Sequence, residues 1–180
     1  MKFDRAGSST VALLLAITTG ALCSERPPLD PDPPPITPAT TFAAATGLNV
    51  LECPIAESRS DSALLGPLGG ILSVDGSSIE LTLGDLLTPK LLILTVPASD
   101  YMEIDIRAED VLHLNFNGPV SITIDYSRCP QEELDRGPLS VWHWDADTGA
   151  PLERMSATDD RASSKIRFET DHLSGYVVAN

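Results

Sequence analysis

Positive charge is what this chain has least of: 12 Lys and Arg stand against 26 Asp and Glu, a formal net charge of -14. Gripping nucleic-acid phosphates takes clustered Lys and Arg, and the few here are scattered, so nucleic acid is not an expected partner. The same shortage disfavours electrostatic docking on anionic lipid. No glycine-rich phosphate loop precedes a helix, and no serine sits in a nucleophile elbow. The three histidines, His113, His143 and His172, fall on separate predicted strands without ligand spacing, so neither a metal nor a cofactor is expected. No apolar run approaches the roughly 20 residues of a spanning helix. Hydrophobic residues nevertheless make up 42% of the 180, enough for one domain with a core and some additional chain.

The first 23 residues read as an export signal. Lys2 and Arg5 precede the apolar run from Val11 to Ala21, a charged leader followed by a hydrophobic stretch of signal-peptide length. Gly20-Ala21-Leu22-Cys23 resembles a bacterial lipoprotein box, with Leu22 where that box has a small residue. The resemblance makes Cys23 the lipidated residue and an anchor the only contact with membrane. Ordinary cleavage after Ala21 or Cys23 is the alternative, and would leave a freely secreted protein. Residues 24–47 follow as a flexible tether crowded with prolines, among them Pro27, Pro28, Pro31, Pro33, Pro34, Pro35 and Pro38.

Residues 48–180 read as one all-β domain. Gly69 to Val74 meets Asp75-Gly76, a dipeptide preferred in tight hairpins, and Ile79, Leu81 and Leu83 alternate with Glu80 and Thr82 on the return. Leu91 to Val96 is a continuous apolar run between Pro89 and Pro97, as in a strand buried on both faces. Met102, Ile104 and Ile106 alternate with charged residues, and Leu112, Leu114 and Phe116 do so with His113 and Asn115. Asn117-Gly118 predicts a second hairpin before Val120 to Tyr126. Strands at 139–144, 152–155, 166–169 and 176–179 complete a set of eight or nine with no convincing amphipathic helix, the pattern of an antiparallel β-sandwich. In an oxidising compartment Cys53 and Cys129 form an even pair, and a disulfide between them is expected.

Gly66-Pro-Leu-Gly-Gly-Ile-Leu-Ser-Val74 followed by Ile79-Glu-Leu-Thr-Leu-Gly-Asp-Leu-Leu87 resembles the start of a ZU-five (ZU5) domain. Phe116 to Tyr126 resembles the middle strand pair of that family, and Asp171 to Ala179 its closing strand. The family's Pro-Gly-Ala-like segment after the second strand is replaced here by Leu83-Gly84-Asp85-Leu86. The resemblance spans about Ala63 to Asn180 and implies a β-sandwich used for contacts with protein partners, not for turnover.

His172-Leu173-Ser174 resembles the self-cleaving tripeptide of adhesion-receptor autoproteolysis domains. There the imidazole deprotonates the serine, whose oxygen attacks the preceding carbonyl in a strained turn. Against this stands a structural role, in which His172 and Ser174 hydrogen-bond at the start of the last strand. Asp145-Ala-Asp-Thr-Gly149 lacks the ligands of a calcium loop and reads as a hairpin turn. Trp142 and Trp144 share one face of a strand, either as core or as a carbohydrate platform. The expectation is therefore a non-enzymatic module of the cell envelope that mediates protein contacts. Self-cleavage at Leu173-Ser174 is the first alternative and carbohydrate binding a weaker one.

Overall fold

The computed structural model describes Leu48 to Asn180, apart from Leu112, Ala146, Asp147 and Gly149. The leader, Cys23 and the proline-rich tether lie outside the described residues. Among the described residues no helix is long and apolar enough to cross a membrane.

The domain is an antiparallel β-sandwich of β1 (Glu52–Ile55), β2 (Arg59–Leu65), β3 (Gly70–Val74), β4 (Ser77–Leu81), β5 (Lys90–Val96), β6 (Ser99–Tyr101), β7 (Glu103–Ala108), β8 (Asn115–Asp125), a one-turn helix α1 (Gln131–Leu134), β9 (Ser140–Trp144), β10 (Pro151–Met155), β11 (Ala157–Asp160), β12 (Lys165–His172) and β13 (Gly175–Ala179). One sheet runs β10-β9-β13-β7-β5-β2, the other β11-β12-β8-β4-β3, and β1 pairs with β6 separately. Strands consecutive in sequence form both flanks, β2 and β3 on one side, β10 and β11 on the other. Period-two alternation fills the space between the sheets. Leu92, Leu94 and Val96 of β5, Ile104 and Ile106 of β7, Ile122 and Ile124 of β8, and Ile166 and Phe168 of β12 are all at most 2% exposed.

The predicted Asp75-Gly76 hairpin forms, with Val74 opposite Ser77 and φ of 53° and 83° at the two turn residues. Positive φ at both central positions is the geometry that matches strand twist. The Asn117-Gly118 hairpin does not form, and Asn115 and Phe116 belong to the same strand as the residues after it. Asn117 and Gly118 instead lie within the single strand β8, which pairs with β12 and β4. The register slips there, Val120 facing Thr170 but Asn115 facing His172, and the Asn117 amide donates to the Asp85 carbonyl at 2.9 Å. Residues 115–119 thus bulge toward the β4–β5 loop, and the loop amide contact replaces the one a turn would have made. Leu83, expected on the inner face of a strand, lies beyond the end of β4 and is 78% exposed.

Register also sorts the ends of the strands into two poles. Val50 bridges Ala179, the Asn180 amide donates to the Asn49 carbonyl, and Leu51 bonds to Val178 and Met102, so both ends of the described chain meet at one pole. Cys53 and Cys129 staple that pole through a disulfide, with Cα atoms 4.6 Å apart. Arg128 adds hydrogen bonds to the carbonyls of Cys53 and Tyr101. The opposite, distal pole carries the β2–β3 turn, the β4–β5 loop, the β9–β10 loop and the β12–β13 link. At about 3.3 Å per residue, the seven residues of β5 separate the poles by roughly 20 Å.

Candidate functional site

Three features meet at the distal pole or beside it: a polar cluster between the sheets, a groove, and an exposed apolar rim. The polar cluster follows from the phase of the alternation. Val141 and His143 face inward from β9, Tyr176 and Val178 from β13, and Phe168, Thr170 and His172 from β12. Two strands in one sheet and one in the other therefore bring four polar side chains to the mouth of the core. His172 Nε2 lies 3.4 Å from His143 Nδ1, and the rings are 4.8 Å apart at 55°. On its other side His172 Nδ1 is 2.9 Å from Asp171 Oδ1 and 3.4 Å from Thr170 Oγ1. The Tyr176 hydroxyl is 3.0 Å from both Thr170 Oγ1 and the His172 carbonyl, and its ring stacks at a tilt on Phe168.

The electrostatics follow from that placement. Burial, and then the neighbouring His172, hold His143 below the usual imidazole range. Its hydrogen bond to His172 holds the fully exposed Asp171 carboxyl below the usual carboxylate range. Burial pushes Tyr176 up to about 12. An open groove of about 760 Å³ runs beside the cluster, lined among others by Glu153, Met155, Glu169, Asp171 and His172.

His172, Leu173 and Ser174 form the link by which the chain passes from one sheet to the other. Leu173 donates to the Leu114 carbonyl at 3.1 Å, and the Ser174 carbonyl accepts from the Ile106 amide at 3.1 Å. Both nitrogens of His172 face other groups, and among the described residues no hydrogen bond joins the ring to the Ser174 hydroxyl. Positive φ outside glycine occurs only at Asp75 and Ser164 among the described residues, so Leu173 and Ser174 carry no such strain. The strand that begins at Gly175 lies in the middle of its sheet, between β9 and β7, and is buried throughout.

Trp142 and Trp144 point to the outer face of the six-stranded sheet and cover the central strand there. Trp142 is opposite Val177, and the indole of Trp144 lies so close over Gly175 that a Cβ on the glycine would stand 2.6 Å from its Nε1. Both indoles pack on a small cluster of Val50, Tyr101 and Val177. Asp145 closes the β9–β10 loop, its amide donating to Ala150 and its carboxylate accepting from the Thr148 amide. His113 is exposed.

The apolar rim comes from residues distant in the strand pattern. Leu64, Leu68, Ile71, Leu83 and Leu87 are 62% to 89% exposed, and among the described residues only Leu152 is a further exposed large hydrophobic. They share the distal pole because β2 ends and β3 begins there and the β4–β5 loop lies against the β2–β3 turn, the Gly84 amide donating to the Pro67 carbonyl at 2.9 Å; Leu64 and Ile71, beside the buried Leu65 and Leu72, project from the outer faces of opposite sheets. Gly69, at φ 77°, packs against the Leu81 carbonyl so tightly that no side chain fits, which holds the Leu68 turn against the end of β4.

Sequence reasoning missed two of these features. The histidine pair was legible only in part: His143 shares the phase of Val141 and so faces inward, but nothing local relates it to His172. The rim had no periodic signal, since Leu68, Leu83 and Leu87 stand in turns. No protein-family model matches this chain, and no characterised protein is detectably similar to it in sequence.

Proposed function

We propose that this chain is an exported β-sandwich module of the cell envelope that acts through protein contacts at its distal pole. The observation that carries the reading is the gathering of Leu64, Leu68, Ile71, Leu83 and Leu87 at the pole opposite the one where the chain comes into the domain. Large leucines left in water at turns contribute nothing to the core, and a concentration of them is the usual mark of a contact surface. A domain held by a lipid or tether at its N-terminal side would present this rim outward. The likeness of residues 63–180 to the ZU-five family agrees with a contact role.

The test is site-specific photo-crosslinking in cells that export the chain under its own signal. A photoreactive residue at position 68 or 83 should give a discrete adduct, and one at position 57 on the opposite pole should not. Leu83→Asp should abolish the adduct from position 68 while leaving the melting temperature unchanged, because exposed substitutions shift stability by only about 0.5 kcal/mol. Equal labelling from both poles, or an adduct insensitive to Leu83→Asp, would overturn the reading.

A further inference from the structure

We infer that His143 and His172 form a binding site for a divalent transition-metal ion of zinc type. The inference is independent of the contact role above. His143 Nδ1 and His172 Nε2 face each other at 3.4 Å. Zinc bonds imidazole nitrogen at about 2.0–2.1 Å, so two nitrogens on a tetrahedral ion stand about 3.4 Å apart. An ordinary N–H hydrogen bond is shorter, with a mode of about 2.9–3.0 Å. The spacing therefore suits a shared ion better than a shared proton.

The surroundings are those of a ligand pair. Asp171 Oδ1, 2.9 Å from His172 Nδ1, accepts that nitrogen's proton in a hydrogen bond and leaves the Nε2 lone pair directed at His143. A carboxylate behind a histidine is the usual means of fixing a metal-binding tautomer. The two rings are carried on β9 and β12, in opposite sheets; His143 stands opposite Tyr176 of β13, whose hydroxyl is 3.0 Å from the His172 carbonyl.

Among the described residues no group of three His, Cys, Asp or Glu is already gathered around a common point. Glu153 is the nearest means of completing the set. It stands opposite His143 in the β9–β10 register and lines the same groove as His172, which makes it the third ligand of the proposed site. Water from the groove would occupy the fourth position. The chain's net charge of -14 raises the local concentration of cations.

The experiment is calorimetric titration of the metal-free, disulfide-intact exported protein with zinc chloride, supported by thermal melts with and without the ion. One ion per chain is expected to bind and raise the melting temperature. His143→Gln and His172→Gln should each abolish that site, and Asp171→Asn should weaken it about ten-fold or more through the lost orienting bond. Cobalt(II) substitution gives a second readout that does not depend on a variant folding, since a two-imidazole tetrahedral site produces a visible band that zinc competes away. Binding unchanged in both histidine variants, with no cobalt band, would mean an adventitious ion only and would overturn the inference.

Discussion

Tyr176 and Thr170 meet hydroxyl to hydroxyl at 3.0 Å, one from each sheet, directly inside the link that joins the sheets. Thr170 in turn donates to the His172 carbonyl at 3.2 Å, so a chain of hydrogen bonds ties the end of β12 to the start of β13. Tyr176 is fully buried. Its hydroxyl can therefore find no water once the partners are lost. Tyr176→Phe should lower unfolding free energy by about 1 kcal/mol, as for a typical buried hydrogen bond. Denaturant melts would measure it. Tyr176→Ala, which also leaves a cavity, should cost about 3–5 kcal/mol.

The Cys53–Cys129 bridge spans 76 residues and ties β1 to the end of β8. Closing so long a loop in the unfolded chain is worth about 4.5 kcal/mol by chain entropy. Cys53→Ser with Cys129→Ser should lose most of that, and the reduced wild type should match the double variant. A melting temperature unmoved by reductant would contradict this.

Glu103 in β7 is 8% exposed, and its carboxyl is raised from the ordinary 4.5, chiefly by burial. A raised carboxyl means that the folded state binds the proton more readily than the unfolded one. The charged form is therefore a destabilising load above the folded value, which lifts as pH falls toward 4.5. Glu103→Gln should raise the melting temperature at pH 7, and its advantage over wild type should shrink on acidification. An advantage that grows in acid would reverse the sign of this argument.

Among the described residues no hydrogen bond joins the Ser174 hydroxyl to the imidazole of His172, so the intact-mass spectrum under denaturing conditions should show one unbroken chain, with Ser174→Ala differing only by the lost oxygen. The denaturing step matters. Residues Gly175 to Ala179 are held between two neighbours in the centre of a sheet, and a cut before them would leave the fragment in place. A Ser174–Asn180 peptide absent from Ser174→Ala would make self-cleavage the protein's chemistry.

Much of this fold is written in local pattern. The alternation at Met102–Ile106 and Val120–Ile124 and the turn dipeptide Asp75-Gly76 determine strands and a hairpin, because period two and positive φ are properties of a few adjacent residues. The Cys53–Cys129 disulfide is expected from their number on the premise of export, and the two cysteines are bonded in the structure. Other elements were hidden for equally physical reasons. The edge strand β2, Arg59–Leu65, has water on most of its length and so shows little alternation, and β11 is short and acidic. Asn117-Gly118 has the composition of a turn, but the pairing of Asn115 and Val120 with β12 and the Asn117 amide's bond to the Asp85 carbonyl keep the chain extended.

The site belongs mostly to the second category, since only the inward phase of His143 beside Val141 could be read locally. His143 and His172 lie 29 positions apart, and their 3.4 Å contact exists because β9 neighbours β13 in one sheet while the β12–β13 link brings the end of β12, in the other sheet, over it. The leucine rim is likewise assembled from residues 64–87 where the β4–β5 loop lies against the β2–β3 turn. Alternation tells each strand which face to bury. Which strands become neighbours is decided by how all those faces close over one core, and that is settled only in three dimensions.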